Sequence, residues 1–524
     1  MSPVTSAPHG AVTVITVDNP PVNALSQAVR EGIASAVATA EADDTCEAII
    51  ITCAGRTFIA GADIKEFGKP PLEPYLPDLV SQVETCETPV IAAIHGTALG
   101  GGFELAMGCH YRIAAKNAAV GLPEVNLGLL PGASGTQRLP RLTGAAKALD
   151  VILSGRLVNA SAALEFSAID KMSESGDLVA DALTFAKECI ELGPRRIREL
   201  AVLEVDPALF DETRKKIAPR TRGLISPEKI VQAVEWSTRA SFDEGCAKER
   251  ELFLECMASS QSAGLRHAFF AERAVGKVPG VDRNTPVREL NSVAIIGAGT
   301  MGAGIAYNCL TSGMVVTLLD NSDDGLERGA NTIRGLYAGG VERGKISEDD
   351  MQAGLGRFET SQDYANISGV DIVIEAVFEN MAVKKDVFAA LDKVLKPGAV
   401  LATNTSTLNI DEIASATRRP EDVIGLHFFS PAHIMRLLEI VRGKDTSKEI
   451  IATSLALAKR LRKVGVVVGN CFGFVGNRML YSYGRENQFL LLEGAAPEYI
   501  DKTLYDWGMA MGPNEMGDLA GLDV

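Results

Sequence analysis

The segment Val293–Gly302 reads VAIIGAGTMG, a short apolar run followed by glycines at positions 297, 299 and 302. The apolar run is typical of a buried strand, and the glycine spacing is typical of a turn that leads into a helix. In such a turn Gly297 allows the tight bend, Gly299 lets a ligand approach the backbone, and Gly302 lets the helix pack closely. The segment therefore predicts a strand, a phosphate-binding loop and a helix N-terminus, in that order.

An acidic residue, Asp320, follows the next apolar run, Val315–Leu319. A carboxylate at this place can accept a hydrogen bond from a ribose 2′-hydroxyl, and it repels a 2′-phosphate. The sequence therefore predicts a loop that binds NAD rather than NADP, with Gly297, Gly299, Gly302 and Asp320 as contacts. The alternative interpretation is a glycine turn in a sheet that binds no nucleotide.

Further short apolar runs alternate with helical patterns beyond this loop. They lie at Asp371–Ala376, Ala399–Ala402 and Val423–Leu426. Strands that alternate with helices at this spacing form a doubly wound parallel sheet. On the amino side, residues 276–286 read GKVPGVDRNTP, which lacks hydrophobic periodicity and is the best candidate for a linker. We therefore expect a Rossmann-type domain over residues 289–470.

The rest of the chain has two further kinds of pattern. Residues 1–190 contain alternating valines and short apolar runs, each run followed by a glycine-bearing loop, which predicts a second α/β domain. Residues 191–288 contain few glycines, and Ser226 is expected to cap a helix that continues with a proline and an acidic first turn. We interpret this segment as a helical connector, and residues 471–524 as a partial helical domain.

Composition limits the class of protein. The 524 residues include 51 Lys and Arg and 67 Asp and Glu, a net charge of −16, which argues against binding to nucleic acid or anionic membranes. The nine cysteines are scattered without a C-x-x-C pair, so we expect reduced thiols and no metal site. No leader, spanning segment or peroxisomal S-K-L tail is evident, and Leu522-Asp523-Val524 ends the sequence.

Two glutamates accompany a second glycine-rich turn. Gly100, Gly101 and Gly102 precede a helix-forming run that contains Glu104, and Glu124 lies 20 residues further on. Backbone N–H groups of such a turn can face an oxyanion, and two converging carboxylates can position a water molecule and exchange a proton. From the residues alone, each glutamate is more simply explained as a solvated or capping side chain.

Several motifs of the first half resemble the enoyl-CoA hydratase (crotonase) family. They are Asn19-Pro20-Pro21-Val22-Asn23-Ala24-Leu25, Ala60-Gly61-Ala62-Asp63-Ile64, the Gly100–Glu104 turn, and Pro131-Gly132-Ala133-Ser134-Gly135-Thr136-Gln137-Arg138-Leu139. The resemblance implies a spiral of ββα units. It also implies that the N–H groups of Ala62 and Gly101 hold a thioester oxygen, while Glu104 and Glu124 handle the water and its proton. Because both acids are present, hydration is expected, with isomerisation of the double bond as a side activity.

A histidine and a glutamate follow the predicted sheet strands of the second half. His427 comes directly after an apolar strand, and Glu439 follows 12 residues later. An imidazole can take a hydroxyl proton while the carbon-bound hydride leaves for a nicotinamide, and a carboxylate can orient the ring. A lone histidine beside aromatic residues is otherwise more often a satisfied core residue.

The second half resembles the L-3-hydroxyacyl-CoA dehydrogenase family. The resemblance rests on the glycine loop, on Gly425-Leu426-His427-Phe428-Phe429-Ser430-Pro431 and on Gly473-Phe474-Val475-Gly476-Asn477-Arg478. It implies that His427 is the general base and Glu439 its partner. It places Ser406 and Asn477 on the substrate, and Glu379, Lys384 and Asn404 on NAD. A surface charge pair is the alternative interpretation of Glu379 and Lys384.

The order of the two halves resembles the type 1 multifunctional enzymes of fatty-acid β-oxidation. This implies acyl-CoA substrates, NAD as cofactor, and a thiolase partner or self-association. Family members carry a second helical domain after the one that begins near residue 471, so a chain with only the hydratase or isomerase activity is one alternative. A noncatalytic subunit that binds acyl-CoA and NAD is another. The expected location is a bacterial-like cytoplasm, with the peroxisome as the alternative.

Overall fold

The computed structural model describes residues 2–520, so the chain end Gly521–Val524, with the predicted absence of an S-K-L tail, lies outside the described residues. The chain divides into two compact units. One runs up to Phe269 and includes Asp506–Gly508, and the other begins at Phe270 and contains the remaining described residues. The predicted domain boundaries near residues 190, 288 and 470 stay predictions.

The first unit contains a six-stranded sheet and a three-stranded sheet. Its strands are β1 (Val4–His9), β2 (Val12–Val17), β3 (Ala48–Cys53), β4 (Val90–Ile94), β5 (Thr97–Leu99), β6 (Tyr111–Ala114), β7 (Ala119–Gly121), β8 (Val158–Asn159) and β9 (Lys171–Met172). The larger sheet has the order β1-β2-β3-β4-β6-β9, and the smaller has the order β5-β7-β8. Only the β1–β2 pair is antiparallel in the larger sheet.

Helices pack on both faces of the larger sheet, with α7 on one face. The helices up to the end of this unit are α1 (Gln27–Glu41), α2 (Leu76–Thr85), α3 (Gly101–Gly108), α4 (Gly135–Thr143), α5 (Ala145–Ser154), α6 (Ala160–Glu165), α7 (Leu178–Leu192), α8 (Ala208–Ile217), α9 (Ser226–Ser237), α10 (Phe242–Ala258) and α11 (Ser260–Ala274), the last of which continues past Phe269. Alternate residues of β3 enter different cores, because side chains of a strand point to opposite faces. Ile49 and Ile51 join the main core, while Ala48 and Ile50 pack in a second cluster with Phe185 of α7.

The second unit is built on one eight-stranded sheet. Its strands are β10 (Ser292–Ile296), β11 (Val315–Leu319), β12 (Phe358–Ser361), β13 (Ile372–Glu375), β14 (Val400–Thr403), β15 (Val423–Phe428), β16 (Leu437–Arg442) and β17 (Val464–Gly469). The order is β12-β11-β10-β13-β14-β15-β16-β17. The first six strands are parallel, and β16 runs antiparallel to β15. The predicted doubly wound sheet is therefore confirmed.

The helices of this unit lie in sequence between and after the strands. They are α12 (Thr300–Thr311), α13 (Asp323–Glu342), α14 (Glu348–Leu355), α15 (Met381–Val394), α16 (Ile410–Ala414), α17 (Lys448–Arg460), α18 (Gly476–Leu492), α19 (Pro497–Trp507) and α20 (Pro513–Ala520). Both faces of the sheet are apolar: Val293 and Ile295 of β10 enter one core, while Ala294 and Ile296 enter the other. This two-sided burial explains why the strand is a continuous apolar run.

Two features of the connecting segments qualify the sequence expectations. Ser226 is the first helical residue of α9 rather than its cap, since Ile225 holds the cap position and no side chain caps the helix. Residues 275–291, which include the predicted linker, contain no helix or strand.

Within residues 2–520, no helix combines the length and apolar character needed to cross a bilayer. All nine cysteines are free thiols.

Candidate active sites

Glu104 lies on α3, just beyond the carboxyl end of β5. Its carboxylate is buried, and Oε1 accepts hydrogen bonds from the backbone N–H groups of Ala133 at 2.7 Å and Gly135 at 2.9 Å. Burial raises the pKa of Glu104 to about 7, although these two bonds and the charge of Arg138 act in the opposite direction. Near neutral pH the group can therefore both hold and release a proton.

Glu124 opens a short 3₁₀ helix, Glu124–Leu127, shortly after β7. The parallel pairing of β5 with β7 brings the segments that follow both strands to the same sheet edge, so the two glutamates meet there. Burial raises the pKa of Glu124 well above its ordinary value, and the charge of Glu104 raises it further. Within the described residues its buried Oε2 has no hydrogen-bond partner, which leaves that oxygen for a water or a substrate atom.

The glycine turn makes room for this second carboxylate. Gly100 has φ of +50°, and a Cβ there would lie 2.7 Å from Glu124 Oε1. A side chain at this position would therefore displace the glutamate as well as strain the backbone. The turn needs Gly100 for both its conformation and its closeness to Glu124.

The two predicted oxyanion donors lie beside each other. A Cβ on Gly101 would be only 3.3 Å from the backbone nitrogen of Ala62. Gly101 is the first residue of α3, where N–H groups lack helical partners. Among residues 2–520 neither N–H donates to a carbonyl outside its own element, so both are free for a ligand oxygen. Such a pair of amides is the arrangement that stabilises a thioester enolate.

A third buried carboxylate, Glu249 on α10, was not expected from the sequence. Oε1 accepts a hydrogen bond from the N–H of Ser134, and Oε2 accepts one from the N–H of Thr136, at 2.6 and 2.9 Å. A signal for it exists, because Gly245, Glu249, Leu252 and Cys256 recur at helical spacing and are all buried. A glutamate on such an apolar helix face is unusual enough to mark a functional contact.

His427 and Glu439 face each other across two neighbouring strands. They are directly paired in the antiparallel register of β15 and β16, and His427 Nδ1 lies 2.7 Å from Glu439 Oε2. Both side chains are buried. Because Nδ1 is engaged, Nε2 is the ring nitrogen that can exchange a proton with a ligand. The sequence expectation of a histidine–glutamate pair thus corresponds to a close contact.

The other oxygen of Glu439 is held by the start of α18. Oε1 accepts hydrogen bonds from the N–H groups of Val475 at 3.0 Å and Gly476 at 2.8 Å. Burial alone would raise the pKa of Glu439, but the hydrogen bonds from His427, Gly476 and Val475 lower it below the ordinary value. The carboxylate therefore stays charged and can stabilise a protonated imidazole.

Ser406 and Asn477 are brought together near this pair. Asn477 Nδ2 donates to the backbone oxygen of Ser406 at 3.4 Å, and the N–H of Ser406 donates to Glu379 Oε1 at 2.7 Å. Asn404 Oδ1 accepts from the N–H of Phe428, the residue after His427. Asn404 is thereby bonded to the strand that carries the histidine, while Ser406, Asn477 and Glu379 are bonded to one another.

Lys384 is buried rather than placed in a surface pair. Its Nζ lies 2.7 Å from Glu375 Oε1 and 3.2 Å from Glu379 Oε2. The interpretation of Glu379 and Lys384 as a surface charge pair is therefore wrong for the lysine. Glu375, at the end of β13, is fully buried and also accepts from Thr403 Oγ1 at 2.6 Å, so it holds the lysine in place.

The glycine loop has the space that a dinucleotide requires. A Cβ on Gly302 would lie 1.8 Å from the oxygen of Gly297, so α12 packs against the loop in a way that excludes a side chain. A Cβ on Gly299 would meet no atom within 4 Å, which leaves open space over the helix N-terminus. Asp320 ends β11, and its Oδ2 accepts from the N–H of Ala298 at 2.9 Å. The residues present therefore fit NAD.

Comparisons with known proteins match both halves of the chain. Residues 8–215 match the family model of enoyl-CoA hydratase/isomerase. Residues 292–471 match that of the 3-hydroxyacyl-CoA dehydrogenase NAD-binding domain, and residues 473–524 match the C-terminal domain of the same enzyme. The predicted crotonase-type and Rossmann domains, the partial helical domain and an NAD-binding dehydrogenase half are therefore confirmed.

Relatives resemble nearly the whole chain. The "Peroxisomal bifunctional enzyme" of Cavia porcellus is 44% identical over 529 residues, covering 99% of this chain and 72% of that protein. The human protein of the same name is 44% identical over 525 residues, covering 98% and 72%. The "Peroxisomal fatty acid beta-oxidation multifunctional protein" of Oryza sativa subsp. japonica is 38% identical over 528 residues, covering 98% and 73%. The chain therefore belongs to the family of these bifunctional β-oxidation enzymes, with an enoyl-CoA hydratase/isomerase domain ahead of a 3-hydroxyacyl-CoA dehydrogenase.

Proposed function

We propose that the chain adds water to trans-2-enoyl-CoA thioesters and then oxidises the resulting L-3-hydroxyacyl-CoA to 3-oxoacyl-CoA with NAD. The observation that carries the proposal is the pair of carboxylates, the buried Glu104 and the half-buried Glu124, beside the two free backbone N–H groups of Ala62 and Gly101. The His427–Glu439 pair supports the second step.

In the hydration step the N–H groups of Ala62 and Gly101 donate hydrogen bonds to the thioester oxygen and stabilise the negative charge that develops on it. This polarises the double bond, so that C3 becomes electrophilic. Glu104 is stabilised as a carboxylate by the bonds from Ala133 and Gly135, and we assign it as the base that takes a proton from water as the water oxygen bonds to C3.

Glu124 Oε2 has no hydrogen-bond partner within the described residues, and burial and the charge of Glu104 raise the pKa of Glu124 well above its ordinary value. This environment favours the protonated form, and we assign Glu124 as the acid that delivers a proton to C2. After the step Glu104 holds the proton taken from water and Glu124 is ionised, so a proton transfer between the two restores the starting state. The same proton movement at C2 supports isomerisation of a position-3 double bond as a side activity.

In the oxidation step His427 Nε2 takes the proton of the 3-hydroxyl as the hydride leaves C3. NAD supplies the hydride acceptor when it is bound at the glycine loop. The carboxylate of Glu439 orients the ring through Nδ1 and stabilises the imidazolium that forms. Ser406 and Asn477 are proposed to contact the substrate, and Glu379, Lys384 and Asn404 to shape the NAD site.

Substrates, partners and location follow from the same assignment. Acyl-CoA thioesters are the substrates that fit both domains, while a thiolase partner and self-association stay predictions. The relatives are named as peroxisomal proteins. They give no support to the bacterial-like cytoplasmic location predicted from the sequence, so the peroxisome is the location that we propose.

The test is coupled turnover by the purified chain. With a trans-2-enoyl-CoA and NAD, we expect reduced nicotinamide to accumulate without any added enzyme. If reduced nicotinamide forms from 3-hydroxyacyl-CoA but not from enoyl-CoA, the hydratase assignment is wrong. Consumption of enoyl-CoA without oxidation would instead favour the alternative in which only the first half works, and no turnover of either substrate would favour a noncatalytic subunit.

A further inference from the structure

Four successive backbone N–H groups, those of residues 133–136, point alternately to two buried carboxylates. The N–H groups of Ala133 and Gly135 donate to Glu104 Oε1 at 2.7 and 2.9 Å. Those at positions 134 and 136 donate to Glu249 Oε1 and Oε2 at 2.6 and 2.9 Å. The segment is therefore held between the proposed base on one side and a glutamate of the connector helix α10 on the other.

Further contacts fix the Glu249 side of this segment. Ser134 has φ of +72°, a left-handed conformation that is unfavourable for a non-glycine residue and requires support from its surroundings. Thr136 Oγ1 donates to Glu249 Oε2 at 2.5 Å and accepts from Gln137 Nε2 at 2.9 Å. Gln137 Nε2 in turn donates to the oxygen of Ala233 on α9. Both oxygens of the 2% exposed Glu249 are thus occupied by donors.

We propose that Glu249 is a positioning residue of the hydration reaction. By holding the N–H groups of residues 134 and 136, it keeps those of residues 133 and 135 aimed at Glu104 and so fixes the base against the water. Helix α10 is then a structural part of the hydratase site rather than only a connector. The inference rests on the proposed hydratase function, because it assigns Glu249 a part in that reaction.

Titratable groups from several elements surround this carboxylate. Glu104 of α3, Glu124 of the 3₁₀ helix and the Cys246 thiol of α10 interact with it electrostatically, and Arg250 lines the same cavity. Arg138 of α4 acts on the neighbouring Glu104 and Cys246. Burial and the charge of Glu104 together raise the pKa of Glu249 to about 8, although the hydrogen bonds from residues 134 and 136 act in the opposite direction. Three neighbouring carboxyl groups cannot easily all be ionised. The charge of Glu249 raises the pKa of Glu124, so its removal should lower the pKa of Glu124.

The experiment measures hydration of a trans-2-enoyl-CoA by Glu249→Gln. The amide keeps one acceptor oxygen but presents N–H groups to the other donor, so the segment 133–136 shifts. We expect kcat to fall by about tenfold or more, since a misplaced catalytic group costs rate, while KM changes less than about twofold. The alkaline limb of the pH profile of kcat should move to lower pH, because that limb reports the loss of the proton that Glu124 has to donate.

Two controls accompany this variant. Glu251→Gln changes an exposed glutamate of the same helix that pairs with Lys248, and it should behave as wild type. Oxidation of 3-hydroxyacyl-CoA by NAD should be unchanged in Glu249→Gln, which shows that the second unit is folded, and an unchanged circular dichroism spectrum and Tm show the same for the first unit. Should Glu249→Gln fail to fold, Thr136→Val removes the hydroxyl that donates to Glu249 and accepts from Gln137, while the backbone donors to Glu249 remain. A smaller fall in kcat at constant KM is then expected.

Wild-type kcat and an unshifted pH profile in both Glu249→Gln and Thr136→Val would overturn the inference. A rise in KM with an unchanged kcat would also overturn it, since that result would make Glu249 a contributor to substrate binding. If the wild-type chain itself does not hydrate enoyl-CoA, the proposed function fails instead, and the two failures are thereby distinguished.

Discussion

The two glutamates of the hydratase site differ in what surrounds them. Glu104 accepts two backbone hydrogen bonds and lies near Arg138, while the buried Oε2 of Glu124 has no partner within the described residues. The environment thus separates two chemically identical groups into a base and an acid. Their assignment as base and acid follows from local hydrogen bonding, which a sequence motif does not show.

Burial of Glu104 makes a prediction about stability. Its pKa rises from 4.5 to about 7 in the folded chain, so between these values the folded state binds more protons than the unfolded state. Stability must therefore fall as pH rises through that window. We expect the difference in Tm, wild type minus Glu104→Gln, to decrease as pH is raised from about 5 to about 8. A difference that stays constant or increases would show that the carboxyl is not buried as described.

The His427–Glu439 pair makes a prediction about oxidation. Glu439→Gln removes the charge that orients His427 and stabilises its protonated form, so kcat for 3-hydroxyacyl-CoA oxidation should fall by roughly 10²-fold or more. Hydration of enoyl-CoA should be unchanged. Glu412→Gln, an exposed glutamate of the same unit that pairs with Lys385, is the matched control. Normal oxidation by Glu439→Gln would remove the glutamate from the mechanism.

Residue types and spacing were sufficient to predict some of these groups. Glu104 and Glu124 follow glycine-rich or loop-like stretches that match a known family, and both lie at the same sheet edge. Glu249 escaped prediction because it is 113 residues from Thr136 in sequence, and only folding brings a connector helix onto that loop. The sign that the sequence offers is the helical spacing that places Glu249 on the same helix face as Gly245, Leu252 and Cys256.

At the scale of elements, the pairing of β15 with β16 places the histidine opposite its partner. The sequence predicted the parallel strands because each is an apolar run before a glycine or polar turn. It did not predict that β16 runs antiparallel to β15, since nothing in residues 429–436 specifies the direction of the next strand. The close contact of His427 with Glu439 also depends on the register of this pairing, because a shift of one residue would turn the glutamate to the other face of the sheet.

The strand, loop and helix around Gly299 make a prediction about cofactor binding. Gly299→Ala adds a methyl group that meets no atom of the chain but occupies the open space over the N-terminus of α12. We expect an unchanged Tm and a Kd for NAD raised by roughly tenfold or more, because the backbone can no longer approach the pyrophosphate. Titration of NAD by calorimetry measures this.

Gly302→Ala is the contrasting variant for the same element. Its Cβ would lie 1.8 Å from the oxygen of Gly297, so the loop and helix must separate and Tm should fall. Equal NAD affinity in Gly299→Ala and wild type would contradict the placement of the cofactor over this loop.

At the scale of the whole molecule, each catalytic set lies within one compact unit. Glu104, Glu124 and Glu249 belong to the first unit, and His427 and Glu439 to the second. We therefore expect that an equimolar mixture of Glu124→Gln and His427→Gln restores coupled formation of reduced nicotinamide from enoyl-CoA, after a lag while the intermediate accumulates. If each variant alone works on its intact half but the mixture stays inactive, the intermediate must be passed on within a single chain.

Hydration of a trans-2-enoyl-CoA by Glu124→Gln tests the proposed roles of the two carboxyl groups. The carboxyl of Glu124, whose pKa burial raises, is proposed to supply the proton at C2, so its loss should lower kcat by about 10²-fold or more, the usual contribution of a general acid. Oxidation of 3-hydroxyacyl-CoA by the same sample should proceed at the wild-type rate. Hydration by Glu124→Gln at the wild-type rate would contradict the proposed role of the carboxylate pair.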